Sequence, residues 1–245
     1  SIGRRVPIIT IITDSIEINA AWTRSPSDYF LITDDHTREG LITRNLSKEK
    51  MNITGFPVSP RFESLEKVSP DDPLNPFRIL FFPTARSPHV TDIIKAALSH
   101  ENHITVVLGR NVRRLYRKVY SLKKSFPGRI HIKGWTRKVP ELLSSHHLVI
   151  GKAGGATVHE AIAAQCPMLV HHIVPGQEEG NIELLDRFQT GSLATSAKTI
   201  RESISNLLDD DAALWREQKN RLSQHARPSA ARDAANFILS KVKPS

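Results

Sequence analysis

Two short polar stretches carry residue types suited to holding a phosphorylated sugar. The first is Gly154-Gly155-Ala156-Thr157, with Glu160 three residues on; the second is Pro175-Gly176-Gln177-Glu178-Glu179-Gly180-Asn181. Glycines let a ligand approach the backbone closely, and the free N–H groups of a helix start favour an anion, as does the positive end of its dipole. Glu160, one turn further along such a helix, has the reach to accept hydrogen bonds from a ribose diol, while Gln177, Glu178 and Asn181 can meet the hydroxyls of a second sugar. A phosphate loop, a ribose carboxylate and hexose-binding amides together describe a nucleotide-sugar site. A structural account competes with this one. Thr157 and Glu160 have capping-box spacing and would then only satisfy the N–H groups of the first turn.

These residues need a frame that brings them together. Residues 148–150 and 168–170 are apolar runs of strand length and 157–164 has helical composition, which gives strand, tight loop, helix, strand. The second polar stretch follows the second strand, at the edge where open parallel sheets bind ligands. The same alternation fills the chain. Strands are expected within 6–14 and at 29–33, 52–54, 77–82, 104–108, 130–133 and 191–194. Helices are expected at 34–45, 89–99, 139–145, 182–188, 200–208, 211–224 and 229–242. Repeated αβ steps imply an α/β fold built on parallel sheets. The proline-rich run 63–76 reads as a linker, so residues 1–70 form one unit and 71–227 a larger Rossmann-like unit, with 228–245 as a closing helix.

Composition narrows the function classes. The chain has 245 residues, 39% hydrophobic, and a net charge of +9. That is globular composition, and the longest apolar run, near residues 6–12, is too short to span a bilayer. One cysteine, Cys166, fits a small core residue in a reducing compartment, so a cytoplasmic location, peripheral at a membrane, is expected. The positive charge is concentrated between Arg110 and Lys138. Arg113, Arg114, Arg117 and Lys118 read either as the solvated face of a helix or as an attraction to an anionic membrane surface. Nucleic acid is the weakest partner, because aromatic residues are scarce and no binding motif interleaves with the basic ones. His146-His147, His159 and His171-His172 lack zinc spacing, so no metal is expected; His159 falls within reach of a phosphate on the loop.

KAGGATVHEAIAAQCPMLV followed by PGQEEGN resembles the donor-binding signature of inverting GT-B glycosyltransferases of the monogalactosyldiacylglycerol synthase type. It is similar, more loosely, to the N-acetylglucosaminyltransferase of the peptidoglycan precursor. PIITIITD, Trp22, DYFLITDD and ITGFPVSPRF look like the last βα units of that family's N-terminal, acceptor-side domain. The resemblance implies a GT-B fold, with a Rossmann-like C-terminal domain and a partial N-terminal one. It implies hexosyl transfer from a UDP-sugar to a lipid acceptor with inversion, without a cofactor. It places Trp135 beside the uracil ring, with the main chain of Thr136 at the base edge, Val139 among the donor-binding residues, and Arg110 towards the donor phosphates. For Trp135 the alternative is half-buried packing.

Two departures from the family matter. The glycine-rich turn after the strand at 77–82 is missing, so Thr84, Arg86 and Ser87 either hold the diphosphate or merely cap a helix. The family's opening glycine loop and histidine-bearing helix have no counterpart here. Either the chain is a fragment, or a partner chain supplies that half. Asp14, at the end of its strand, is then the visible candidate for a base or for orienting one, with capping of the next helix as its alternative. Two other functions stay open: a non-catalytic donor-binding subunit, and a UDP-sugar epimerase.

Overall fold

The computed structural model describes residues 6–24, 26–84, 89–176 and 178–242. The first unit is a parallel three-stranded sheet of β1 (Ile9–Ile11), β2 (Tyr29–Ile32) and β3 (Met51–Ile53), in that order. Helix α1 (Asp35–Ile42) links β2 to β3 and is capped by Asp34, whose Oδ1 accepts from the Thr37 N–H at 2.8 Å. Ile12, Ile18, Phe30, Ile32, Leu41 and Met51 form its core. β1 is shorter than the apolar run that predicts it, because only residues 9–11 have a ladder partner.

A short helix, α2 (Arg61–Ser64), leads into the run expected to be a linker. That run is packed: Val68 is buried in the main core and its N–H donates to the Ser144 carbonyl at 3.1 Å. Next come β4 (Arg78–Phe81), α3 (Val90–Ala97), β5 (His103–Val107), α4 (Val112–Ser125), β6 (Ile130–Lys133) and α5 (Val139–Ser145). They are followed by β7 (Leu148–Lys152), α6 (Gly155–Ala163), β8 (Met168–His172), α7 (Glu179–Phe188), β9 (Gly191–Leu193), α8 (Ala197–His225) and α9 (Ala230–Val242). The six strands from β4 onward form one parallel sheet in the order β6-β5-β4-β7-β8-β9. This is the doubly wound order, whose switch point falls between β4 and β7.

Strand alternation divides the core into two layers. Ile79 and Phe81 of β4 face α3, α4 and α8, where Ile93, Ile94, Leu115, Val119, Ile204 and Trp215 are buried. Leu80, between them, faces α5, α6 and α7 with Leu143, Val158, Ile162 and Leu184. α8 holds both helices expected there, separated by a break at Asp209–Ala212, three of whose residues have positive φ. The helix resumes because Ala212 and Trp215 are buried on the core side. α9 leaves the large sheet and lies against β2, with the Tyr29 and Phe237 rings 5.4 Å apart.

The paired histidines after α5 are structural. The His146 ring bridges the Leu142 carbonyl (2.6 Å) and the Thr105 hydroxyl (2.9 Å). His147 accepts from the Arg78 N–H at 2.7 Å and stacks on Phe77. Burial brings their pKa values down to about 4 and about 3, so both are neutral in the folded protein. The unfolded chain takes up these protons near pH 6.5, so their contribution is complete above that pH and falls away as pH drops towards 3. Urea unfolding between pH 7 and pH 4.5 is expected to lose about 1.4 kcal/mol per pH unit for each histidine in the lower part of that window. A flat profile would overturn the assignment of neutral, buried rings.

Candidate functional site

The parallel sheet sends the loops after β4, β5, β6, β7 and β8 to one edge, so the described candidates from Thr84 to Asn181 lie along it or just beyond, while Asp14 comes from the small sheet. Three elements close on each other to form a cleft of about 790 Å³. One wall is the glycine loop between β7 and α6, represented by Lys152, Gly154 and Gly155. A second is the loop after β8 with the start of α7, represented by Gly176, Glu178, Glu179, Gly180 and Asn181. The third comes from the small sheet: Asp14, Glu17, Asn19, Trp22 and Arg44.

The glycine loop works as a helix start without a cap. α6 begins at Gly155 with Gly154 as its N-cap, which makes no side-chain cap bond, and no side chain among the described residues bonds its first-turn N–H groups. Thr157 lies inside the first turn, so the capping-box account of Thr157 and Glu160 is not what the structure holds. α7 likewise starts at Glu178 and Glu179 with no side-chain cap from Glu178. Two helix ends therefore meet at one cleft, that of α7 already covered by the Glu179 carboxylate, which accepts from the Gly176 and Glu178 N–H groups at 2.6 and 3.2 Å. They are held in register by Asn181, whose Nδ2 donates to the Ala153 carbonyl at 2.9 Å. The Oδ1 of Asn181 is buried and has no partner among the described residues, which leaves an acceptor beside the glycine loop.

Lys152 and Arg44 are the cations of this cleft, against Asp14, Glu17, Glu178 and Glu179, and sequence reasoning passed over Lys152. The ladder between β7 and β8 shifts register at Gly151/Lys152, a bulge that re-aims the side chain. Its Nζ lies 2.8 Å from Glu178 Oε1 and curls over Gly154, where a Cβ would stand 2.9 Å from it. Glu178 is buried and also accepts from the Val174 N–H at 3.0 Å, so its role here is to tie Lys152 to the opposite loop. The signal in the sequence was the lysine at the end of an otherwise apolar strand.

Opposite this pair, Asp14 Oδ2 accepts from the Trp22 indole N–H at 2.6 Å. The 3-10 turn that follows is capped by Asn19 instead, so Asp14 does not act as a cap. Ser15 Oγ and His159 Nε2 share a 2.8 Å hydrogen bond, and His159 stacks on Phe56 at 4.6 Å. Burial holds the His159 pKa down to about 4. His159 thus faces the small sheet as a neutral ring, away from the role of phosphate contact.

The remaining described candidates stand outside the wall of this cleft. Ala156 is exposed and Thr157 half-buried, while Glu160 is half-buried and its pKa is raised by burial. Trp135 is 55% exposed, with the Arg137 guanidinium 5.5 Å from its ring, so it is not a packing residue. Thr136 Oγ1 accepts from the Lys138 N–H at 3.0 Å and opens α5, and Val139 packs against the core layer below. Arg110 is exposed in a single turn after β5. Thr84 lies in the loop after β4, three residues past Phe81, and its buried hydroxyl has no partner among the described residues. Arg86, Ser87 and Gln177 lie outside the described residues. No group of three or more metal-binding side chains occurs among the described residues, and no helix there is long and apolar enough to cross a membrane.

No family model matches the chain. It is 25% identical over 236 residues to a processive diacylglycerol beta-glucosyltransferase of Bacillus pumilus, covering 93% of this chain and 61% of that protein. The chain thus spans less than two thirds of the length of that relative. Among solved structures, MurG of Acinetobacter baumannii superposes with a TM-score of 0.67 at 15% identity, covering 96% of this chain and 68% of that one. Anabaena Alr3699/HepE, solved in complex with UDP and glucose, superposes at 0.55 with 14% identity, covering 96% and 72%.

Gly180 sets the spacing of the cleft, because a Cβ there would overlap the Ser15 carbonyl oxygen and stand 2.9 Å from the Glu17 nitrogen. Gly180→Ala is expected to cost about 1–3 kcal/mol in urea unfolding. Unchanged stability would mean that α7 does not press on the 15–17 loop.

Proposed function

We propose that this chain, a relative of the GT-B glycosyltransferases in sequence and fold, is the donor-binding part of an enzyme that glycosylates a lipid. In this reading a hexosyl group passes from a UDP-sugar to the hydroxyl of a diacylglycerol-like acceptor, with inversion at the anomeric carbon. The observation that carries the reading is the cleft in which the starts of α6 and α7, Lys152 and Asp14 converge. The similarity to a diacylglycerol beta-glucosyltransferase supports the acceptor class, and the UDP complex of a protein with this fold supports the donor class.

The chemistry follows from the charges. The acceptor oxygen attacks the anomeric carbon, the bond from that carbon to the diphosphate oxygen breaks, and its electron pair leaves with UDP. One displacement on the face opposite the leaving group gives inversion. Charge builds on the departing diphosphate, and the uncapped N–H groups of α6 with the Lys152 ammonium are the groups that stabilise it. The acceptor proton needs a base, for which Asp14 stands on the opposite wall, its Oδ2 fixed by Trp22. Asn181 Oδ1 suits a sugar hydroxyl donor. Trp135, Thr136, Val139, Thr84 and Arg110 belong to the nucleotide end of the same sheet edge in this scheme.

Calorimetry with UDP and UDP-hexoses is the first test, with the adenine counterparts as controls. Lys152→Met is expected to weaken UDP binding about tenfold, near 1.4 kcal/mol. No heat with any uridine diphosphate sugar would end the donor reading, and Glu160→Ala with parental UDP affinity would remove Glu160 from the ribose site. Turnover separates the alternatives. UDP release only on adding diacylglycerol identifies the transferase, and conversion of the donor without acceptor an epimerase. Binding without turnover until another polypeptide is supplied identifies a subunit.

A further inference from the structure

We propose that the outward face of α4 docks this chain on an anionic lipid bilayer. Between Asn102 and Pro140 the sequence has eleven Lys and Arg and no Asp or Glu. The whole chain has 34 of the former and 25 of the latter, so this segment carries +11 and the remainder −2. The basic character of the protein is therefore one continuous segment, folded as β5, α4, β6 and the start of α5. Leu115 and Val119 bury the inner face of α4, while Arg113, Tyr116, Arg117, Lys118, Tyr120, Lys123 and Lys124 are exposed. None of the ten of these cations whose side chains are described pairs with a carboxylate among the described residues, and Glu141, which ends the segment, is taken by Arg61.

The aromatic residues on this face favour a bilayer over a nucleic acid. Tyr116 and Tyr120 are 41% and 44% exposed, and their rings stack on each other at 5.5 Å. Lys124 sits 5.7 Å from the Tyr120 ring centre. Rings engaged in this way offer no free platform for bases, but amphipathic tyrosines among cations suit the headgroup level of a membrane. The charge complementarity is with anionic headgroups, whose attraction acts within a Debye length and adds up over several Lys and Arg. α4 begins where β5 ends, at the sheet edge that also carries the cleft, so this face would bring the cleft towards its lipid acceptor. The inference rests on the cationic face alone and stands apart from the donor reading.

Vesicle cosedimentation tests it, with phosphatidylcholine alone against phosphatidylcholine containing phosphatidylglycerol. The protein is expected to bind the anionic vesicles at least about tenfold more tightly, and to lose that preference when salt is raised from about 0.1 M to about 0.5 M. A triple variant, Arg113→Glu, Arg117→Glu and Lys118→Glu, is expected to lose at least about tenfold in vesicle affinity. Its UDP calorimetry and unfolding should match the parent, which separates this result from failure of the donor site or of the fold. Tyr116→Ser with Tyr120→Ser, at constant charge, is expected to weaken binding several-fold. Equal binding to neutral and anionic vesicles, full binding by the triple variant, or tighter binding to an RNA or DNA oligonucleotide than to the anionic vesicles at the same salt would each overturn it.

Discussion

The structure depends on two helix starts that face each other across adjacent parallel strands, that of α6 without a cap from Gly154 and that of α7 covered by the Glu179 carboxylate. Backbone N–H groups at such ends need partners, and a site that leaves them to a ligand must hold them in place by other means. Here the Asn181 amide ties α7 to the backbone before α6, and the Lys152–Glu178 ion pair ties the two loops from the other side. The pair is half open to solvent at the lysine, so its contribution to stability is small and its positional role is the larger one.

The seam between the two sheets is the second constraint. Ser15, Phe56, His159 and Gly180 pack there with a neutral imidazole and a helix that touches backbone directly. A charged ring would carry a desolvation penalty at this seam, and a side chain at 180 would force the loops apart. The same seam presents Asp14 to the glycine loop. Fold contact and site geometry are thus one feature, with α9 lying against β2 as a further tie between the sheets.

Charge is distributed with comparable separation. The cleft mixes acids and bases, while the edge formed by β5, α4 and β6 is purely cationic. Because the large sheet is buried on both faces by apolar side chains, its solvent-facing helices are free to carry whatever charge a partner demands, and α4 does so while Leu115 and Val119 stay buried in the core.

Much of this was legible in the sequence. β6 and α5 occupy the residues that their apolar and proline signals indicate, and the strand-loop-helix-strand unit around Gly154 was readable from periodicity alone, since these signals are local. The two polar loops, too, were visible as candidates. What sequence could not decide was facing. The bulge that turns Lys152 over the glycines, the burial that makes His159 a packing residue and Glu178 an anchor, and the contact of Asp14 with Trp22 all depend on residues far apart in the chain. The sequence determined which elements form and which residue types reach the sheet edge. Tertiary structure alone decided which of them share a cleft, because that choice is set by strand order and by the close approach at Gly180, neither of which has a local signal.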